Sequence, residues 1–93
     1  MNQSPLILIF HPDYEKNSQS VKDQRIFKIV QRKFEFLKTV GLNYPSLNAK
    51  KLQNMQKDGE DMWEFYITKK WRCFFLYNNN KKTITVLYIS NHL

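Results

Sequence analysis

The chain has 93 residues, 42% of them hydrophobic and 15% aromatic, which leaves room for one core and excludes both a second domain and a disordered tail. Fifteen Lys and Arg against eight Asp and Glu give a net charge of +7, a field that attracts polyanions, with nucleic acid the leading partner by charge and an acidic protein the second. Cys73 is the only cysteine, which excludes an intrachain disulfide and a cysteine-based zinc cage, and no segment approaches the about 18 apolar residues of a membrane span; the sequence reads as a cytoplasmic protein with no membrane partner.

Residues 6–10, Leu-Ile-Leu-Ile-Phe, lie between Pro5 and Pro12 and predict a short buried strand. Residues 11–20 are polar, with room for a helical turn. From about residue 20 to 40, Ile26, Ile29, Val30, Phe34, Leu37 and Val40 recur at the spacing of one helix face, widened by Phe27 and Phe36, with Gly41 as the stop. Amphipathic periodicity is first a core signal, so this helix is expected to cover a sheet rather than a membrane.

Residues 42–47 contain Asn43, Pro45 and Ser46 and read as a loop. Lys50, Lys51 and Leu52 begin a short possible strand, and residues 56–61, with Gly59, form a turn. Three aromatic and β-branched runs follow, read as antiparallel strands with short connections. In the last run Ile84, Val86, Tyr88, Ser90 and His92 share one parity and Thr83, Thr85, Leu87 and Ile89 the other. Apolar residues on both parities predict a central strand. The expectation is an α+β fold over residues 1–93 as one domain. Its small antiparallel-rich sheet, an N-terminal strand plus a C-terminal three- or four-stranded meander, is packed by the long helix of the N-terminal half.

The only histidines, His11 and His92, stand at opposite ends without a carboxylate-rich pattern, and two glycines make no phosphate loop; no metal and no cofactor are expected. Cys73 sits inside an aromatic strand and reads as a small buried hydrophobe. After Glu64 there is no acidic residue, while Lys69, Lys70, Arg72, Lys81 and Lys82 supply five positive charges. The basic set of Lys50, Lys51, Lys69, Lys70, Arg72 and His92 suits metal-independent RNA cleavage, in which the ribose 2′-OH attacks the adjacent phosphate. That reaction needs a proton acceptor, cationic donors on the phosphorane and a proton donor for the leaving oxygen.

Each candidate has a plainer alternative. Arg72 can hold a phosphate with two parallel donors, or pair with a carboxylate such as Glu64. Glu64 is a general base or that partner. His92 titrates near neutrality, or is an exposed histidine without a role. Lys50 and Lys51 hold phosphate, take a proton if desolvated, or are solvated. Tyr66, Trp71 and Tyr88 stack on an unpaired base, or belong to the core.

The segments Pro-Ser-Leu-Asn-Ala-Lys-Lys-Leu at 45–52, Met-Trp-Glu-Phe-Tyr-Ile-Thr at 62–68, Trp-Arg-Cys-Phe-Phe-Leu-Tyr at 71–77 and Ile-Thr-Val-Leu-Tyr-Ile-Ser-Asn-His at 84–92 resemble the RelE/ParE superfamily of bacterial toxins from type II toxin-antitoxin modules. The resemblance covers roughly residues 45–92 by motif, and the preceding strand–helix order fits the rest. It implies a RelE-like fold and, in the RelE-like branch, a ribosome-dependent endoribonuclease that cuts mRNA in the decoding site and so inhibits translation. In that frame Arg72 falls at the strand arginine that stabilises the cleaved phosphate, and His92 at the C-terminal acid or base. Lys50 and Lys51 fall where some members carry a catalytic or RNA-binding His or Lys, and Glu64 in a strand that supplies a carboxylate in some branches. Lys69, Lys70, Tyr66, Trp71 and Tyr88 are then expected on the RNA side. An acidic antitoxin encoded nearby is the expected protein partner, and mRNA on the ribosome the expected substrate. The chain departs from the pattern at Lys50, where a histidine is often found, and in having no longer tail after His92. ParE-like relatives share the fold and inhibit DNA gyrase by binding; a non-catalytic RNA-binding module is the further alternative.

Overall fold

A computed structural model describes residues 6–40, with the backbone alone at Val40, and residues 48–91. Gly41, the loop expected at 42–47 and His92 lie outside the described residues. In chain order the elements are β1 (Ile7–Phe10), α1 (Tyr14–Asn17), α2 (Gln24–Val40), β2 (Lys50–Lys57), β3 (Glu60–Tyr66), β4 (Trp71–Asn78) and β5 (Thr83–Asn91). They build one five-stranded sheet in the order β1-β5-β4-β3-β2. The expected α+β arrangement is therefore present, with a four-strand antiparallel meander and β5 as a central strand.

The sheet closes on its N-terminal strand in parallel. Ile7 lies opposite Thr83 and Phe10 opposite Val86, and that direction requires the long crossover through α2 and the meander. Because β5 already has β4 on its other side, β1 takes the edge. It is consequently not the buried strand expected: Ile7, Ile9 and Phe10 are 56%, 44% and 43% exposed, and Leu6 and Leu8 carry its contribution to the core.

Helix α2 starts about four residues later than its apolar pattern suggests. Asp23 sets the start, its Oδ1 accepting the backbone N–H of Arg25 at 2.9 Å as an N-cap does. Ile26, Val30, Phe34 and Leu37 are buried against the sheet. Phe36, expected to widen that stripe, is instead exposed, because two residues past Phe34 is roughly 200° around the helix. Phe34 meets Phe65 and Phe75 edge-on at centroid distances of 5.2 and 5.6 Å, a favoured aromatic geometry. Cys73, Ile84, Val86 and Ile89 complete this side of the core.

The turn expected at 56–61 contracts to two residues. Lys57 pairs with Glu60, and Asp58 and Gly59 both have positive φ, 55° and 79°, the Asp-Gly type I′ hairpin whose twist matches its strands. Upstream, β2 sets residues 52–55 against the single Met62 between the Lys51–Trp63 and Gln56–Asp61 pairs, so it arches away from its neighbour, with Asn54 at φ 60°.

A bulge in β5 matters most for function. Phe74 faces Tyr88 while Phe75 faces Val86, leaving Leu87 as an extra residue. Simple alternation fails there. Ile84 and Val86 point toward α2, whereas Leu87 joins Met62, Phe74 and Leu76 in a cluster on the other face, with Tyr88 packed beside it. Tyr88 and Ser90 therefore do not share a face with Ile84 and Val86.

Past the end of β1 the free edge of β5 is satisfied locally. The His11 N–H donates to the Val86 carbonyl at 2.9 Å, and the Ile89 N–H donates to Ser18 Oγ at 3.0 Å. Ser18 is 1% exposed, so this bond pins the α1–α2 connection to the sheet.

Candidate functional site

Paired residues of neighbouring strands point to the same face of a sheet. The register thus defines a row across the face opposite α2: Lys50 on β2, Glu64 on β3, Phe74 on β4 and Tyr88 on β5. The next row holds Tyr66, Arg72 and Ser90. Helix α2 lies on the other side of the sheet, and α1 reaches only the β5 edge of this open face.

Arg72 and Glu64 meet diagonally between the rows. Arg72 Nη1 donates to Glu64 Oε2 at 3.2 Å and to Oε1 at 3.3 Å. Their side chains are 23% and 7% exposed. The guanidinium carbon lies 5.1 Å from the Phe74 ring centroid, a cation–π distance, and Phe74 in turn lies 4.9 Å from the Tyr88 ring with 30° between planes. Nε of Arg72 is buried with no hydrogen-bond partner, so an anion reaches the guanidinium through its outer nitrogens. Glu64 sits at one of these. The result is a cation and a proton acceptor side by side, backed by two aromatic rings.

The sequence candidates separate in this frame. Lys50, Glu64, Arg72, Tyr66 and Tyr88 come together on the open face. Lys51 pairs with Trp63 and turns the other way, its Nζ 3.6 Å from Asp61 Oδ2; adjacent strand residues cannot share a face, so the Lys50–Lys51 pair is split. Trp71 packs against the α2-side core, with Lys70 Nζ 5.7 Å from its ring centroid. Lys69 and Lys70 are exposed in the β3–β4 turn, where Thr68 Oγ1 accepts the N–H groups of Lys70 and Trp71 at 3.2 Å. The candidate His92 is outside the described residues.

Phe74 was missed by the sequence reading, although it stands two residues after Arg72 and so shares its face by strand period alone. Cys73 on β4 is fully buried, and burial pushes its thiol well above its ordinary pKa, the state of an inert core cysteine. Among the described residues no three His, Cys, Asp or Glu side chains gather as a metal site, and no helix is long and apolar enough to cross a membrane.

No protein-family model matches the chain, and no curated protein matches it by sequence. Solved structures do resemble it. A chain of the archaeal RelE-RelB complex from Pyrococcus horikoshii OT3 superposes with a TM-score of 0.71 at 15% identity, over 94% of both chains. The YoeB dimer from Staphylococcus aureus gives 0.69 at 14%, over 96% of this chain and 99% of that one. The toxin-antitoxin complex RelBE2 from Mycobacterium tuberculosis gives 0.64 at 12%, over 95% and 99%. At these identities the likeness is one of fold, and the fold is RelE-like.

Proposed function

We propose that this chain is the toxin of a type II toxin-antitoxin module and acts as a ribosome-dependent mRNA endoribonuclease. The observation that carries the reading is the contact of Glu64 with Arg72, 3.2 Å apart, on an open face that also carries Lys50 and Tyr88. The RelE-like fold and the net charge of +7 support it.

In the proposed reaction the ribose 2′-oxygen forms a bond to the adjacent phosphorus and the bond from phosphorus to the 5′-oxygen breaks, leaving a cyclic phosphate. Glu64 takes the 2′-OH proton. Arg72 stabilises the equatorial oxygens as their charge grows, an electrostatic contribution suited to a sheltered cation. Lys50, at the exposed end of the row, holds a phosphate, Tyr66 and Tyr88 offer ring surfaces to unstacked bases, and His92 supplies the proton to the leaving oxygen. The proposed chemistry draws only on side chains of the chain. An acidic antitoxin is the proposed neutralising partner.

The test is inducible expression of wild type beside Arg72→Ala and His92→Ala, with mRNA 5′ ends mapped in the same cells. New ends inside translated codons that vanish in both variants are the expected outcome. Undiminished cleavage by both variants sinks the mechanism.

The same contact favours one other reading. With Glu64 already occupying Arg72, the face also suits a toxin that inhibits DNA gyrase by binding, without proton transfer. Growth arrest without new 5′ ends, and inhibition of supercoiling that His92→Ala leaves intact, would select it.

A further inference from the structure

Beside the Glu64–Arg72 rows, the open face contains a cleft that shares only Tyr88 with the residues of the proposed reaction. Its floor is Met62, Leu87 and the flank of Tyr88, and its walls are His11, Asp13 and Asn17 on one side and Lys57 on the other. The bulge creates the floor, because Leu87 is the inserted residue and Tyr88 the one it turns to this face. Tyr88 therefore has two neighbours: the Phe74 ring on the Arg72 side and the cleft on the other.

The cleft encloses about 150 Å³. That is well below the about 300 Å³ at which pockets for drug-sized ligands begin. It suits one planar ring system. The rim then specifies polarity. His11 Nδ1 accepts the backbone N–H of Asp13 at 3.1 Å, so the proton of the neutral imidazole resides on Nε2, which is left as a donor. The Lys57 side chain makes no hydrogen bond or ion pair among the described residues and brings a positive charge from the opposite wall. Asp13, exposed and with no capping bond from its side chain, and Asn17 bring acceptors to the same side as His11.

We propose that this cleft is a nucleotide subsite of single-stranded RNA, holding one base that carries an exocyclic amino group. The base lies on Met62, Leu87 and Tyr88, its amino group donates to the Asp13 carboxylate, and its phosphate takes hydrogen bonds from Lys57 and His11. An apolar floor alone would accept any base. The carboxylate is the discriminating element, since it accepts from the amino group of cytosine, as acidic side chains do in base readout, while uracil offers an oxygen at the same position. The inference rests on the RNA-cleaving reading for its substrate class, but its geometry is separate from the Glu64–Arg72 pair.

The experiment is an NMR titration of the wild-type protein, Lys57→Ala, Asp13→Ala and Lys28→Ala with cytidine 5′-monophosphate and with uridine 5′-monophosphate. Cytidine monophosphate is expected to shift the Leu87 amide, the Met62 methyl and the His11 ring of the wild type, to bind about tenfold more weakly to Lys57→Ala, as loss of one charged hydrogen bond implies, and to bind unchanged to Lys28→Ala, which removes an exposed charge on α2. Uridine monophosphate is expected to bind more weakly than cytidine monophosphate to wild type and equally to Asp13→Ala. Shifts confined to the surroundings of Arg72, or binding indifferent to Lys57→Ala, or no shift at these three residues at millimolar nucleotide, overturn the subsite. Failure of RNA cleavage in cells with these shifts intact would count against the nuclease and leave the subsite standing, so the two failures are distinct.

Discussion

Arg72 Nη1 on β4 lies 3.2 Å from Glu64 Oε2 on β3, although neither residue is the direct cross-strand partner of the other: Glu64 faces Phe74, and Arg72 faces Tyr66. The diagonal contact shelters the carboxylate more than the cation, at 7% against 23% side-chain exposure. Breaking such a pair from the arginine side leaves an uncompensated buried charge. Arg72→Ala is expected to lower stability by about 3 kcal/mol, the low end for buried pairs because Arg72 keeps contact with water. Urea unfolding measures it, and a loss below about 1 kcal/mol would place the pair among surface ion pairs.

Under the proposed RNA-cleaving reaction the two partners are expected to differ. Arg72→Ala removes the cation and weakens RNA binding together with cleavage. Glu64→Gln removes the anion that competes with phosphate for Nη1, so binding holds or tightens while cleavage falls by about 10²–10⁴-fold, the usual worth of a general base. Parallel binding and single-turnover measurements separate them. Equal loss of binding in both variants would show that Glu64 only positions the arginine.

Ser18→Ala is expected to cost about 1–3 kcal/mol, the penalty for leaving the buried Ile89 N–H without its acceptor. Hydrogen exchange gives the residue-level check: the Ile89 amide should exchange faster in the variant by more than global destabilisation explains.

Gly59→Ala tests the hairpin by backbone alone. A Cβ at Gly59 would meet nothing within 4 Å, yet φ is +79°, so the expected loss of about 1–2 kcal/mol is the left-handed cost for an L residue. A thermal melt showing no change would mean that the turn relaxes to another type.

Burial raises the Cys73 thiol in the folded state above its ordinary value of 9.0. Below pH 9 the thiol is protonated whether the chain is folded or not, and the stabilisation is complete. As pH rises above 9 the unfolded chain loses the proton first, so stability falls, by about 1.4 kcal/mol per pH unit until the folded thiol also titrates. Burial raises Tyr14 in the same direction. Cys73→Ala should flatten the fall between pH 9 and 10, and a thiol reagent should label native wild type only as fast as it unfolds.

The elements legible from the sequence were those with an unambiguous period. Helix α2 declared itself through Ile26, Val30, Phe34 and Leu37, and β5 through apolar residues on both parities. The pairing of Arg72 with Glu64 was readable as one of two alternatives, since both lie in strands one turn apart. Three features were not readable. The bulge at Leu87 leaves no composition signal, because Leu is an ordinary strand residue, and its effect on Tyr88 appears only once β4 supplies a register. The edge position of β1 depends on which strand it joins. The separation of Lys51 from Lys50 follows from strand period, but only after β2 is known to be a strand at that point.

Ser18 and Ile89 are 71 positions apart, and among the described residues β1 has no sheet partner other than β5. During synthesis the N-terminal strand must therefore wait for nearly all the remaining sheet to be translated, on the order of several seconds at roughly 5–20 residues per second. Throughout that interval Ile7 and Ile9 face solvent on an unzipped strand. A nascent chain halted before Thr83 should be protease-sensitive along β1, because the strand that β1 pairs with has not yet been made.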